Sequence, residues 1–156
     1  MALPVLTANI TNMTVDLLTP IRCTSFKTKQ LARLVGRIYD AEMAAVSLKA
    51  SQFSLLTHVE NHGPIGVGAL AKRMALEGST MTRNLRPLLA NQWIALTSGT
   101  DARHRLISIT PSGRSKQEAA LVCWAKAQQK VNAIVGLETV RELQTLIDDC
   151  LVKLKA

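Results

Sequence analysis

Hydroxyl and guanidinium side chains recur with helical spacing in the middle of the chain. Four of them fall at positions i, i+3, i+4 and i+7, which is one face of a helix: Ser79, Thr82, Arg83 and Arg86. Thr80 lies at the edge of the same face. Such side chains bind phosphates and the edges of bases, and arginine pairs best with guanine. The spacing therefore predicts a helix surface that contacts nucleic acid.

The charge of the chain points the same way. The net charge is +8 and the isoelectric point is about 9.9, which favours a polyanionic partner. Residues 64–114 carry seven basic and two acidic groups, whereas residues 115–156 carry six and five. Five of those seven basic groups are arginines beyond position 80. Because a merely solvated face more often mixes lysine with glutamate, we expect residues 64–114 to bind DNA or RNA.

The elements that must position these side chains are two short helices and a hairpin. Residues 67–74 have the pattern of one short helix, and Glu77 opens a second that runs to about Asn91. Two strand-like runs follow at 94–97 and 106–109. Together they predict a winged helix-turn-helix, whose second helix fits the major groove. The hairpin tip carries four further candidate DNA-binding residues, and an arginine among them can enter the minor groove: Asp101, Arg103, His104 and Arg105.

These segments resemble a known family. The run DARHRLISITPSG (101–113) is similar to the wing signature of the MarR (multiple antibiotic resistance regulator) family, with Ile109 where leucine is usual. GALAKRM (68–74) and EGSTMTRNL (77–85) resemble its first helix and its recognition helix. The resemblance covers about residues 22–156. It implies a homodimeric transcriptional regulator, most often a repressor on a palindromic double-stranded operator, in which Asp101 holds Arg103 for the minor groove.

Two residues of the recognition segment depart from the family pattern. Trp93 stands where a glycine usually ends the helix, so we expect a different helix exit. Pro87 lies inside the helix, where it removes an amide donor and costs about 3 kcal/mol unless the helix is kinked. The first half of the helix, which would touch bases, precedes this proline.

Helical patterns flank the winged segment on both sides. One helix is predicted from Thr24, and a second starts near Ser51 as its N-cap. A long helix begins with Thr110 as N-cap and Pro111 at its first position, and Gly136 ends it.

The last helix carries an apolar stripe that reaches nearly to the final residue and that we expect a second copy of the chain to cover. The predicted contact residues are Leu143, Leu146, Ile147, Cys150, Leu151 and Leu154. We predict one mainly α-helical protomer over 1–156 with a small β-hairpin wing. Residues 51–114 would form the DNA-binding lobe, and residues 1–50 and 115–156 the dimerisation region.

Two triggers for release from DNA stay open. The resemblance implies a pocket between the dimerisation and wing lobes, where Tyr39, Phe53 and Trp124 would stack on a small aromatic or anionic effector, although each is also typical of a simple core. The alternative is a redox sensor. Cys23 precedes the first helix among basic neighbours, which favours its thiolate form, whereas Cys123 and Cys150 are predicted to be buried.

Other classes of function find less support. The sequence shows no glycine-rich phosphate loop, no close carboxylate pair and no H-E-x-x-H motif, so we predict no enzyme, no catalytic residue and no cofactor. His58 and His62 have the spacing of zinc ligands but lack a third one, so no metal is predicted. A helical protein-interaction module without DNA binding remains an alternative, which a salt titration distinguishes.

The compartment is predicted from what the chain does not contain. There is no run of 18 or more apolar residues, and no basic start precedes an apolar stretch at the N-terminus. The three cysteines are an odd, widely spaced set, which is typical of reduced thiols. We expect a cytoplasmic protein of a bacterium or archaeon, with no membrane partner.

Overall fold

A computed structural model describes residues 22–98 and 105–155, and the chain divides into two compact units, Met1–Arg37 and Ile38–Ala156. The described elements are α1 (Thr24–Met43), a 3-10 helix (Ala44–Val46), α2 (Ala50–His62), β1 (Ile65–Gly66), α3 (Val67–Arg73), α4 (Gly78–Ala90), β2 (Ile94–Ser98), β3 (Arg105–Ile109), α5 (Pro111–Val135) and α6 (Leu137–Lys155). The predicted fold class is confirmed, because the chain is mainly helical and carries a winged helix-turn-helix.

The first unit contributes the start of α1. Its apolar side chains Phe26, Leu31 and Leu34 are exposed. Leu31 and Leu34 have the i, i+3 spacing that predicts a helix here, so the local pattern placed α1 correctly although these side chains are exposed.

The sheet in the second unit is antiparallel, with strand order β1-β3-β2. Ile107 on the central strand is fully buried and pairs with Ile65 on one side and Leu96 on the other. The sequence predicted β2 and β3 but missed β1. A two-residue strand is too short to show an alternating pattern, so only its pairing with β3 reveals it.

The core of the second unit lies between α2, α3, α4, α5 and the sheet. Its largest fully buried side chains are Met43, Leu55, Leu56, Val59, Leu70, Met81, Leu88 and Ile107. Because α4 supplies two of them, the predicted recognition helix is anchored by its apolar face.

The start of α2 differs from the prediction. Ser51 was expected to be the N-cap, but Lys49 occupies that position and Ser51 lies in the first turn. The Lys49 backbone N–H donates to Gln52 Oε1, and the Ala50 N–H donates to Asp40 Oδ1 at 2.8 Å. An acceptor ten residues away thus satisfies the helix end, which removes the need for a serine cap.

The start and end of α5 confirm the prediction. Thr110 is the N-cap, and its side-chain oxygen accepts a hydrogen bond from the Gly113 N–H at 3.0 Å. Pro111 occupies the first turn, and Gly136 follows the helix with φ of 93°, a value that favours glycine.

The backbone reverses at the end of α4 through Gln92, one residue before Trp93. Gln92 takes the left-handed conformation, with φ of 57°. The Gln92 N–H donates to Leu89 O and the Trp93 N–H donates to Leu88 O, both at 2.9 Å. This is the Schellman pattern, closed without glycine. The helix is continuous through Pro87.

The last helix buries only Val140 among its described residues. Leu143 is half-buried, and the remaining predicted contact residues are exposed: Leu146, Ile147, Cys150, Leu151 and Leu154. Cys123 is buried on α5 as predicted, but the prediction of a buried Cys150 is wrong for the single chain, in which Cys150 is exposed.

Two further predictions concern the lobe boundary and membrane-spanning segments. The predicted lobe boundary between residues 114 and 115 falls inside α5, so one helix would join the two predicted lobes. None of the described helices combines the length and the apolar character needed to cross a bilayer.

Candidate nucleic-acid interface and effector cavity

The predicted recognition helix α4 has two chemically distinct faces. Met81, Leu85 and Leu88 face the core and are at most 3% exposed. The opposite face presents the predicted DNA-binding residues: Ser79, Thr82, Arg83 and Arg86 are exposed, and Thr80 is half-buried. The structure thus places all five side chains on the side of α4 that is opposite to its buried apolar face.

The hydroxyl groups lie in the first five residues of α4. Glu77 is the N-cap residue, but its side chain makes no cap hydrogen bond. Thr82 donates its hydroxyl to Gly78 O at 2.9 Å, so its oxygen keeps lone pairs that can accept. The N-terminus of a helix carries partial positive charge, which the carboxylate of the exposed N-cap residue Glu77 offsets in part.

The end of α4 is locked to the start of α5. Thr110 Oγ1 donates to Gln92 O at 2.6 Å and Ser112 Oγ donates to the same oxygen at 2.9 Å. A Cβ on Gly113 would lie 1.8 Å from Trp93 O, a distance no side chain tolerates. Sequence reasoning missed this junction, although Thr110 and Gly113 belong to the segment that carries the family signature.

The wing is described in part. β2 and β3 pair over five residues each, and Arg105 is exposed at the start of β3. The other predicted wing contacts, Asp101, Arg103 and His104, lie outside the described residues.

A cavity of about 460 Å³ lies against α2 and α5. Its walls include the three aromatic residues proposed from sequence, Tyr39, Phe53 and Trp124. The other lining residues are Ala50, Ser54, Thr57, His58 and Leu121. The structure therefore places the three aromatic side chains around one space large enough for a small ring compound.

The polar groups of the cavity are few and are held in position. Tyr39 donates its hydroxyl to Gln128 Oε1, and burial raises the pKa of the Tyr39 phenol above its usual 10.0. His58 Nδ1 lies 2.8 Å from Ser54 O. Since a carbonyl only accepts, Nδ1 carries a proton, and Nε2 is left as an acceptor in the neutral ring or a donor in the protonated ring. Sequence reasoning considered His58 only as a zinc ligand.

The sequence also offered a redox candidate, Cys23, and a histidine pair, His58 and His62. Cys23 immediately precedes α1 and is exposed. The rings of His58 and His62 lie 6.2 Å apart between centroids. Over residues 22–98 and 105–155, no group of three histidine, cysteine or carboxylate side chains is placed to hold a metal ion.

Two short helices, a supporting core and a paired wing define a winged helix-turn-helix protein of the type found in transcriptional regulators. The chain matches the sequence model of the MarR family over residues 48–104. It is 27% identical over 104 residues to the HTH-type transcriptional regulator YwoH of Bacillus subtilis, covering 67% of this chain and 76% of YwoH.

Solved structures show the same fold over most of the chain. The transcriptional regulator MosR of M. tuberculosis, in complex with DNA, is 29% identical, with a TM-score of 0.70 over 83% of this chain and 97% of MosR. BpsR of Bordetella bronchiseptica, 17% identical, has a TM-score of 0.75 over 85% of this chain and 95% of BpsR. The chain is therefore similar to transcriptional regulators of the MarR family.

Proposed function

We propose that this protein is a homodimeric repressor that binds a palindromic DNA operator and is released by a small effector. The observation that carries the proposal is the polar face of α4, displayed on a helix whose other face is buried. MosR, 29% identical, is described in complex with DNA, which supports a duplex as the partner. The protein would act in the cytosol, without catalytic activity.

The side chains divide into base contacts and backbone contacts. Arg83 and Arg86 lie on the exposed face of α4 and would pair with guanine in the major groove. Ser79, Thr80 and Thr82 would bind phosphates near the helix N-terminus. Arg103, His104 and Arg105 of the wing would contact the minor groove, and Asp101 would hold Arg103 in position for it.

Dimerisation would come from α6. The exposed leucines Leu146, Leu151 and Leu154 recur along this helix, and a second copy would cover them through an isologous contact. Two α4 helices would then approach one face of the duplex about 34–36 Å apart, as half-sites one helical turn apart require.

The effector would occupy the aromatic cavity. Its walls of Tyr39, Phe53 and Trp124 favour a flat ring, and His58 offers a hydrogen bond or, when protonated, a charge for an acid group. BpsR, which shares the fold, is described as regulated in DNA binding by 6-hydroxynicotinic acid. An effector that binds the DNA-incompetent conformation a hundredfold more tightly shifts operator binding by about 2.7 kcal/mol, and by linkage DNA weakens effector binding equally.

The direct test is a footprint on the DNA upstream of the coding region of this protein, repeated at rising salt. Operator binding should weaken steeply with salt, because phosphate contacts release counterions. Protection of no fragment, or protection that is insensitive to salt, contradicts the proposal and favours a protein-interaction module.

Exposure of the Cys23 thiol supports oxidation as a second candidate trigger. Operator affinity with and without peroxide, in the wild type and in Cys23→Ser, distinguishes the two. Release by peroxide in the wild type alone overturns the effector mechanism, whereas equal affinity in all four measurements excludes the thiol.

A further inference from the structure

The first turns of α2 form the wall between two separate concave surfaces. On one side, Ala50, Phe53 and Ser54 line the aromatic cavity. On the other side lies a groove of about 400 Å³ between α2 and α4. We call it the α2–α4 groove; it is lined by Lys49, Ser51, Gln52, Leu55, Arg83, Asn84 and Pro87.

The chemistry of the α2–α4 groove favours an anion. Lys49 and Arg83 bring positive charge from its two walls, and Ser51 and Asn84 bring neutral hydrogen-bonding groups. Among the described residues, its lining includes no carboxylate. Lys49, Ser51 and Arg83 are exposed, so a large partner can reach all three from solvent.

The position of the groove indicates which anion it binds. Arg83 belongs both to this lining and to the exposed polar face of α4, so the groove continues that face sideways onto α2. A duplex lying along α4 would bring its sugar-phosphate backbone beside the base-contacting helix. One exposed lysine and one exposed arginine hold an isolated anion only weakly, because water screens them.

We propose that the α2–α4 groove is a phosphate-binding subsite of the DNA interface, in which Lys49 and Ser51 bind the backbone beside the bases contacted from α4. This rests on the proposed function, because it requires that the α4 face binds a duplex. Lys49 supplies charge without sequence preference, whereas Ser51, in the first turn of α2, donates one hydrogen bond. The subsite extends the interface beyond the recognition helix and the wing.

The test compares Lys49→Ala, Lys49→Arg and Ser51→Ala with a matched control, Lys126→Ala, an exposed lysine on α5. The dissociation constant is measured for the fragment protected in the footprint and for a scrambled duplex of the same length, at several KCl concentrations. Thermal unfolding followed by circular dichroism checks that each variant is folded.

Lys49→Ala should weaken binding to both duplexes by the same factor. One ion pair between a lysine and a phosphate makes affinity fall roughly threefold when salt rises about fourfold. The slope of log K against log salt should therefore become shallower by about 0.9 for each lysine removed. Lys49→Arg should keep the slope, and Ser51→Ala should weaken binding without changing it. Lys126→Ala should match the wild type.

Three results would overturn the proposal in distinguishable ways. If the wild type binds and Lys49→Ala equals Lys126→Ala in affinity and slope, the groove is not a phosphate subsite, although the proposed function stands. If Lys49→Ala changes the preference between the two duplexes, Lys49 contacts bases rather than phosphate. If the wild type binds neither duplex, the proposed function fails, and the subsite with it.

Discussion

Helices α4 and α6 are both amphipathic, but within the described part of the protomer only α4 has its apolar face buried. On α4, Met81, Leu85 and Leu88 are 0%, 3% and 0% exposed. On α6, Leu146, Leu151 and Leu154 are 63%, 42% and 84% exposed. The two helices have a similar apolar stripe, but that of α4 packs on the core, whereas much of that of α6 is exposed to solvent.

The difference in burial between the two apolar faces suits the two helices to different roles. Because its apolar face is fully packed, α4 can leave its polar face free without losing its position, as a rigid recognition element requires. An apolar face that remains open, as on α6, costs free energy in water and favours association. The protomer therefore combines a fully packed α4, whose polar face we propose binds DNA, with an α6 whose apolar face is exposed and which we propose pairs with a second copy.

The largest expected effect comes from placing charge on the exposed apolar face of α6. The double substitution Leu146→Asp and Leu151→Asp should give monomers or aggregates and abolish operator binding, because two carboxylates cannot be buried unpaired between helices. Sedimentation equilibrium and a binding assay on the protected fragment measure both effects. Gln144→Asp, exposed on the same helix, is the control. A DNA-binding dimer from the double variant would contradict the α6 interface.

Truncation of one leucine to alanine in each helix tests the contrast between the buried face of α4 and the exposed face of α6. Leu88→Ala should lower the free energy of unfolding by about 2–5 kcal/mol, because it leaves a cavity in the core of the second unit. Leu154→Ala should act only through association, so its effect should depend on protein concentration. Urea unfolding at two concentrations tests this, and a concentration-independent loss of similar size at Leu154 would break the contrast.

Substitutions on the exposed face of α4 should spare folding and alter specificity. Arg83→Ala or Arg86→Ala should reduce discrimination between the operator and a scrambled duplex by about 1–3 kcal/mol if the contact with guanine is bidentate. Arg103→Ala, in the segment predicted to form the wing tip, should weaken binding to both duplexes more evenly. Competition binding measures the preference, with Arg141→Ala on α6 as control. A fall in affinity without any change of preference would remove α4 from the major groove.

The smallest effects concern the residues at positive φ at the end of α4 and at the start of α6. Gln92→Gly should raise the free energy of unfolding by about 0.5 kcal/mol, since relief of about 1–2 kcal/mol of left-handed strain exceeds the added chain entropy of about 0.4–1 kcal/mol. Gly136→Ala should lower it, because φ of 93° strains any side chain. Thermal unfolding measures both, and changes of equal sign would contradict the assigned backbone conformations.

Local chemistry made much of this protein predictable from its sequence. The stripe of Ser79, Thr82, Arg83 and Arg86 predicted a helix with one polar face, and that face is exposed. Thr110 and Gly136 marked the ends of α5 because capping depends on a few neighbouring residues. The wing signature led to the MarR family, since its pattern lies within one short segment.

Other features were decided only by residues far apart in the chain. Asp40 caps the start of α2, β1 exists through its pairing with β3, and Gly113 must lie against the carbonyl of Trp93. His58 lines the aromatic cavity because the fold brings it close to Tyr39 and Trp124, which are distant in sequence. The apolar stripes of α4 and α6 look alike in sequence, because periodicity records which face is apolar but not what covers it. Only the tertiary structure shows that the apolar face of α4 packs on the core while most of the described part of α6 leaves its apolar face exposed, and our two proposals for these helices rest on that difference.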